Sequence, residues 1–403
     1  MTHRKAITLP TLLLAMIFSL PATTANLDSL DELDEIPVTE EEASLWDIAS
    51  KHENNLGNSG RLFHDRHVEA YLESITDQML GQQLDHLGIE VDFILVEEPT
   101  LSAWVYPYGT IAVHTGLLTG MDNEAQLASI LAHEISHFLQ RHSYRETISK
   151  GRQGLLGKGF GILAAAAAAK ATGVVDTGLI DATGGLWTDL VTSGYSRKLE
   201  YVADEEGLDL MANAHYAEDQ ALIGFAALGD NDVYGTVNVN YLWSSHPKLE
   251  DRLKNLQKEI KKRKRKKNYV AGVVPEAERY YAGIAPVLIV NARLDIKERQ
   301  YERARMALNK YMSVSPDDPE AEFLVGETLR KQNPDGPDFA ERMNAYKRAL
   351  EKDSGYAVAY KELGMAYRMQ RANSEALQSF EEYLALAPDA ADAGIIRGYM
   401  ETL

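Results

Sequence analysis

Apolar residues recur at steps of three and four between Asn123 and Ser143, which predicts an amphipathic helix buried on one side. The same spacing predicts a helix over residues 65–84, whose apolar stripe suits packing in a core. A third helix is predicted over residues 196–211. These segments make the first part of the chain mainly helical.

Two short runs have the length and composition of β-strands, Val91–Val96 and Thr110–Thr115. The turn-forming sequence Pro107-Tyr108-Gly109 lies between them. Together with the helices, these runs predict an α+β fold for residues 43–268, mostly helical with a small sheet.

The last third of the chain is repetitive. Gly326 precedes Gly364 by one tetratricopeptide period of about 34 residues plus a short insertion near Asn333. We predict three repeats and a C-terminal capping helix over residues 269–403, an all-α domain with a concave groove for a peptide or a partner protein. Unrelated helical hairpins are the alternative. The repeat positions are Tyr360, Leu363, Gly364, Tyr367, Ala376, Phe380 and Pro388, preceded by Ala304, Leu308, Tyr311 and Pro316.

Residues 1–25 have the pattern of a cleaved export signal, with Arg4 and Lys5 before an apolar run and small residues ending at Ala25. A membrane anchor is disfavoured, because the apolar run is shorter than the roughly 20 residues that a span needs. Residues 26–42 are acidic with few apolar positions, which predicts a flexible lead-in. We therefore expect an exported chain without a transmembrane span.

The charge of the chain limits its partners. Its 60 acidic and 41 basic residues give a formal net charge of -19, and removal of Arg4 and Lys5 makes it -21. Such a charge disfavours nonspecific binding to nucleic acid or anionic lipid. The basic run Lys261–Lys267 is best interpreted as a solvated helix end. Its alternative is an acidic partner, such as lipopolysaccharide phosphate, with peripheral membrane association.

The central predicted helix carries an H-E-x-x-H sequence, residues 133–137. Residues four apart share a helix face, so His133 and His137 can bind one cation while Glu134 stands beside it. On a continuous helix His142 would point about 140° away from this face, which excludes it as a ligand. The chain has no cysteine, so a metal site must use nitrogen and oxygen ligands.

A third ligand is expected on the helix over residues 196–211. Glu200 completes the two-histidine, one-carboxylate set of a catalytic zinc site, which would bind one Zn²⁺ per subunit and keep a position for water. Glu134 is then the catalytic base. Asp204 lies one turn after Glu200, where it would orient a ligand histidine or act as a catalytic proton donor.

These features, taken together, resemble a known family, the zinc metallopeptidases that include HtpX and the beta-barrel assembly-enhancing proteases. The resemblance implies a periplasmic metalloendopeptidase with a zincin-type fold and C-terminal repeats. Its implied substrates are misfolded or misassembled outer-membrane proteins, with the repeats contacting their assembly machinery. The alternative is a repeat-based chaperone or adaptor whose protease activity is largely latent. The resemblance rests on ILAHEISHFLQRH, Leu117-Leu118, the pair Glu200 and Asp204, and His246-Pro247 followed by Arg252.

The resemblance also implies roles for three further segments. The stretch LSAWVYPYGTIAVHTGLL is similar to the family's edge strand, so Ile111 and Val113 are expected on a strand that pairs with substrate. His246 is expected near the metal, as a fourth ligand that keeps the enzyme latent or as a donor to the oxyanion. A turn-capping role far from the metal is the alternative. Arg252 is expected to hold the same loop or to stabilise the tetrahedral intermediate.

Residues 151–194 are rich in glycine and alanine, including the run Ala164–Ala169. A membrane hairpin is one interpretation, but charged residues such as Lys170 and Asp176 would be costly in a bilayer. We predict instead a helical excursion beside the active site, either a mobile lid or an inert packing hairpin.

Overall fold

The computed structural model describes residues 28–33, 36–151, 187, 194–229, 249–334, 336 and 338–403. The predicted signal peptide, most of the glycine- and alanine-rich segment and His246 lie outside these residues. The first part contains β1 (Leu62–Phe63), β2 (Phe93–Val96), β3 (Ala103–Val105) and β4 (Ile111–His114). Its helices are α1 (Glu40–Gly57), α2 (Arg66–Leu80), α3 (Thr115–Gly120), α4 (Glu124–Leu139), α5 (His142–Gly151), α6 (Arg197–Asn213), α7 (Asp219–Ala227) and α8 (Leu249–Lys264).

The four strands form one mixed sheet in the order β1-β2-β4-β3. The two strands expected from the sequence are β2 and β4, each somewhat shorter than its predicted range. β4 pairs in parallel with β2 and antiparallel with β3, so that Ala112 lies opposite both Ile94 and Trp104. Because β4 is covered on both sides and both faces, its sequence is apolar up to His114.

The prediction that Ile111 and Val113 lie on an edge strand is wrong. Both residues belong to β4, which has a hydrogen-bonded strand on each side, and both are fully buried. A strand paired on both sides has no free backbone donors or acceptors for a peptide. The sheet edge next to β4 is instead β3, whose outer side has no paired strand among the described residues.

Helix α4 lies at the centre of the first domain, and all of its residues are buried. It packs against α2, α6, α7 and β3. The sequence predicted a helix with one buried face, but neighbours surround α4 on all sides. This position explains the small residues Ala125, Ala128 and Ala132, which let other elements approach closely.

Part of the acidic segment 26–42 packs against this domain. Leu30 is buried in the main hydrophobic core. The Glu42 carboxylate accepts two hydrogen bonds from Arg141, at 2.6 and 2.8 Å, and Arg141 also donates to the carbonyl of Asp28. These contacts attach a segment that was predicted to be flexible to the C-terminal end of α4.

The second part consists of the helices α9 (Ala277–Gly283), α10 (Ala285–Lys297), α11 (Tyr301–Val314), α12 (Pro319–Gln332), α13 (Phe339–Lys352), α14 (Ala357–Met369), α15 (Asn373–Leu386) and α16 (Ala393–Met400). Successive helices pack as pairs, α10 with α11, α12 with α13, and α14 with α15. In two pairs a glycine faces an aromatic ring. A Cβ at Gly326 would lie 2.3 Å from the Tyr346 ring, and one at Gly364 would lie 2.5 Å from the Phe380 ring. The assignment of these pairs to tetratricopeptide repeats stays a prediction.

The two parts share one hydrophobic core, because α10 packs on α3. A buried hydrogen bond of 3.0 Å joins Thr115 to Asn291, and the Lys310 ammonium donates to the carbonyl of Met121 at 2.9 Å. The first helix pair therefore supports the elements that precede α4. Among the described residues, each helix is either too short or too polar to cross a membrane.

Candidate metal centre

An N-terminal cap and a turn after the last residue define the two ends of α4. The Asn123 side chain caps the N-terminus by accepting a hydrogen bond from the backbone of Gln126 at 3.0 Å. The helix ends at Leu139, and Arg141 then adopts a left-handed conformation with φ 52°. His133 and His137 consequently lie on one face in the last two turns of α4.

Helix α6 brings a third donor to this face. Glu200, Asp204 and Gly207 recur at steps of four and three, so they share the side of α6 that faces α4. A Cβ at Gly207 would lie only 3.3 Å from the backbone nitrogen of His133. The glycine thus permits the close helix contact that places the Glu200 carboxylate beside both imidazoles.

The three donor side chains form a compact, buried triangle. The Nε2 atoms of His133 and His137 lie 3.0 Å apart, and each is within 3.7 Å of a carboxylate oxygen of Glu200. In a tetrahedral zinc site with ligands about 2.0–2.1 Å from the metal, neighbouring donor atoms lie roughly 3.3–3.4 Å apart. The observed separations fit a divalent metal ion of this size, so these residues form a candidate metal site.

Glu134 lies beside this triangle and is almost completely buried. The backbone N–H of Val105 on β3 donates to its carboxylate, while Oε1 has no hydrogen-bond partner among the described residues. Burial, and then the charge of Glu200, raise the pKa of Glu134 to about 8. A carboxylate with a free acceptor atom and a pKa near neutrality is suited to general-base chemistry.

Asp204 and Arg252 form a buried ion pair next to His133. Asp204 Oδ1 lies 3.0 Å from His133 Nδ1, on the side of the ring opposite Nε2. Arg252, on α8, donates to both Asp204 oxygens at 2.5 and 3.0 Å, and its Nη1 lies 3.1 Å from Glu200. Burial would raise the pKa of Asp204, but the charge of Arg252 and the hydrogen bonds from His133 and Arg252 hold it below its usual range.

Two residues at this site were missed by the sequence analysis. His142 Nδ1 lies 2.8 Å from His137 Nδ1, and the Tyr195 ring stacks on the His137 ring at 4.0 Å. The sequence was interpreted as one helix through Ser143, whereas the chain turns at Arg141 and brings His142 back towards His137. His142 is still not one of the three metal donors. No sequence signal identified Tyr195.

The site residues predicted from the sequence divide into three groups. His133, Glu134, His137, Glu200, Asp204 and Arg252 come together in one cluster, as described above. Ile111 and Val113 lie within the sheet, and His246 lies outside the described residues.

Comparison with known proteins supports the same assignment. Residues 66–260 match the model of Peptidase family M48. The putative beta-barrel assembly-enhancing protease of Vibrio cholerae is 28% identical over 194 residues, 44% of this chain and 39% of that protein. The beta-barrel assembly-enhancing protease of Escherichia coli is 32% identical over 94 residues, 21% of this chain and 19% of that protein.

A mitochondrial enzyme is also similar. The mitochondrial metalloendopeptidase OMA1 of Arabidopsis thaliana is 32% identical over 169 residues, which is 42% of this chain and 31% of that protein. The chain thus spans well under half the length of these relatives. The residues that match the family model include the donor triangle. The region from residue 66 to residue 260 is therefore similar to the metallopeptidases of peptidase family M48.

Proposed function

We propose that this chain is a zinc-dependent endopeptidase. The observation that carries the proposal is the donor triangle of His133, His137 and Glu200, with the Glu134 carboxylate alongside. Two imidazoles and one carboxylate, in a chain without cysteine, are the ligand set of a catalytic zinc site with a position left for water. Zinc bound there would lower the pKa of water and polarise the substrate carbonyl.

Glu134 acts as the general base in this proposal. Its Oε1 accepts a proton from the attacking water while the hydroxide oxygen bonds to the carbonyl carbon. When the carbon–nitrogen bond breaks, Glu134 returns the proton to the leaving amine. The carboxylate is therefore unchanged after each cycle.

Asp204 and Arg252 position His133 rather than transfer protons. An acceptor at Nδ1 keeps the proton of the His133 ring on that nitrogen and leaves Nε2 free to bind metal. Because Arg252 keeps Asp204 ionised, Asp204 has no proton to donate to the leaving group. We therefore favour the orienting role over the catalytic donor role for Asp204.

We propose that substrate pairs with β3 instead of β4. The backbone N–H of Tyr106 donates to the carbonyl of Thr110, and the backbone N–H of His114 donates to the carbonyl of Ser102. Backbone groups alternate in direction along a strand, so those of Ala103 and Val105 point away from β4. The Val105 N–H faces Glu134, which places a peptide on this side next to the base. Both residues are only 3% exposed, so peptide entry requires the surrounding chain to open.

The proposed physiological substrates are misfolded or misassembled outer-membrane proteins in the periplasm. Support comes from the export-signal pattern of residues 1–25 and from the names of the Vibrio cholerae and Escherichia coli relatives. A second candidate is a repeat-based chaperone or adaptor with largely latent protease activity. The observation that favours it is a basic cavity among α10, α12, α13 and α14, which contains none of the metal donors.

Glu134→Gln tests the enzymatic proposal. The variant should bind one zinc per chain, as the wild type does, yet lose cleavage of an unfolded protein such as casein. Glu205→Gln is the matched control, because Glu205 is exposed on the same helix as Glu200 and is not a donor. Zinc content by mass spectrometry and peptide release by chromatography give the two readouts. Retained cleavage by purified Glu134→Gln would exclude Glu134 as the base.

Complementation separates the two candidate functions. In cells that lack the native protein, wild type and Glu134→Gln are expressed at equal levels and outer-membrane integrity is measured. The protease proposal expects rescue by wild type alone. Equal rescue by Glu134→Gln would favour the adaptor. Deletion of residues 278–403 is a poor test, because α10 packs on α3 and its removal would damage the peptidase core.

A further inference from the structure

A cavity of about 520 Å³ opens among the C-terminal ends of α10, α12 and α14 and the first turn of α13. Its volume lies within the range of roughly 300–1,000 Å³ that is typical of ligand sites. The cavity is formed by residues 296–369 and lies outside the donor triangle. Its charge is opposite to that of the chain. Among the described residues, one anionic side chain lines it, Glu362, against five cationic side chains, Lys297, Arg299, Arg330, Lys331 and Arg342.

Helix ends explain only some of these cations. Lys297, Arg330 and Lys331 lie in the last turns of α10 and α12, where a positive charge interacts favourably with the helix dipole. Arg330 is also paired with Glu327 and lies 3.5 Å from Glu362. Arg342 is different, because it lies in the first turn of α13, where the dipole opposes a cation.

Arg342 is also the most buried cation of the cavity, with 3% of its surface exposed. Its Nη1 donates to the carbonyl of Pro334 at 3.0 Å, and its guanidinium lies 4.3 Å over the Phe339 ring. Its Nε is buried without a hydrogen-bond partner, and no carboxylate of the described residues pairs with it. Burying a guanidinium N–H that has no acceptor among the described residues is costly, so this arrangement fits a site completed by an anion.

We propose that this cavity binds an extended peptide that carries a carboxylate next to an apolar side chain. The planar guanidinium of Arg342 matches a carboxylate, and Lys297, Arg299 and Lys331 add positive charge at the exposed rim. Met365 and Met369 supply an adaptable apolar surface, and Met369 is 53% exposed. Arrays of helix pairs commonly present such a surface to peptides. This binding is independent of the metal centre and of the proposed hydrolysis.

Binding is tested with the full chain carrying Glu134→Gln, so that the probe is not cleaved. The probe is a fluorescein-labelled octapeptide, Gly-Ser-Leu-Glu-Leu-Asp-Ser-Leu, with a free C-terminus. The matched probe has Gln and Asn at the acidic positions and an amidated C-terminus. Fluorescence anisotropy should show that the acidic peptide binds about tenfold more tightly or better, since hydrogen bonds between charged groups are lost in the neutral peptide.

Variants identify the binding surface. The double variant Lys297→Gln/Lys331→Gln changes two exposed residues and should weaken binding of the acidic peptide roughly threefold to tenfold. Arg342→Gln should abolish the preference for the acidic peptide. Lys254→Gln, an exposed lysine on α8, is the control and should leave the affinity unchanged. Should Arg342→Gln fail to fold, the double variant decides.

Three results would overturn the proposal. The first is equal affinity for the acidic and neutral peptides, and the second is an unchanged affinity in the double variant. The third is that inorganic phosphate binds with the same dependence on Lys297 and Lys331 while the acidic peptide does not bind. That outcome would assign the cavity to a phosphate-bearing ligand instead. The binding test does not depend on whether a cavity variant retains proteolytic activity.

Discussion

The Nδ1 atoms of His137 and His142 lie 2.8 Å apart in the buried interior. Burial lowers the pKa of His142 to about 3, so this ring is neutral and can accept a hydrogen bond. His137 directs its Nε2 towards His133 and Glu200. In the proposed zinc site, Nδ1 therefore carries the proton and donates a hydrogen bond to His142, which fixes both the orientation and the tautomer of the His137 ring.

Replacing His142 with Leu should weaken zinc binding about 10- to 100-fold, as is typical when the partner of a ligand histidine is lost. The affinity is measured by competition with a chromogenic chelator. His86→Leu is the control, because His86 is exposed and lies outside the metal cluster. A folded His142→Leu protein with wild-type zinc affinity would contradict the orienting role.

Arg252→Met should lower the free energy of unfolding by about 3–5 kcal/mol, because it leaves buried carboxylates without their cation. Arg252 is fully buried, and it contacts both Asp204 and Glu200. Urea unfolding in the presence of a chelator gives the measurement, so that metal binding does not contribute. Arg66→Met is the comparison, since Arg66 is largely exposed and the loss of its ion pairs should change the stability little. Equal stability of the two variants would show that the buried pair has no net stabilising role.

The donor residues could be predicted because the relevant information is local. Four-residue spacing on a helix places His133 and His137 together, and the same rule places Glu200 and Asp204 on one face. The contact between α6 and α4 could be expected only because a catalytic zinc site needs a third ligand. Arg252 was expected at the centre only from the resemblance, since nothing local links it to a helix located 48 residues earlier in the chain.

Other features depend on long-range packing and could not be predicted from local sequence patterns. The order of strands in the sheet places Ile111 and Val113 inside it, although their apolar sequence is equally compatible with an edge strand. The end of α4 was misplaced because Arg141, which has no special turn preference, adopts the left-handed conformation. Arg141 also pairs with Glu42, which lies in a distant segment of the chain. The spacing of apolar residues gives no information about such a contact.

Gly364→Ala should destabilise the helix pair formed by α14 and α15 by about 1–3 kcal/mol, because the new methyl group overlaps the Phe380 ring. This cost exceeds the gain of at most about 1 kcal/mol that alanine brings within a helix. Gly398→Ala in α16 is the matched control, because a Cβ there meets no atom within 4 Å, and it should be neutral or stabilising. Urea unfolding followed by circular dichroism compares the two. Equal effects would show that Gly364 is not required for the close contact.

Stability should depend on pH through His114, at the end of β4. Burial, followed by the charge of Arg61, lowers the pKa of His114 from 6.5 to about 4, and its Nδ1 lies 2.7 Å from the Thr100 hydroxyl. Between these pH values the unfolded chain binds the extra proton, so the stabilising contribution is complete above pH 6.5 and is lost as the pH falls to 4. The loss is up to roughly 3 kcal/mol. His114→Gln should therefore lose less stability over this pH range than wild type, whereas His64→Gln, at an exposed site, should match wild type. Parallel urea titrations at each pH measure the difference. The same change of unfolding free energy with pH in His114→Gln and wild type would refute a neutral His114.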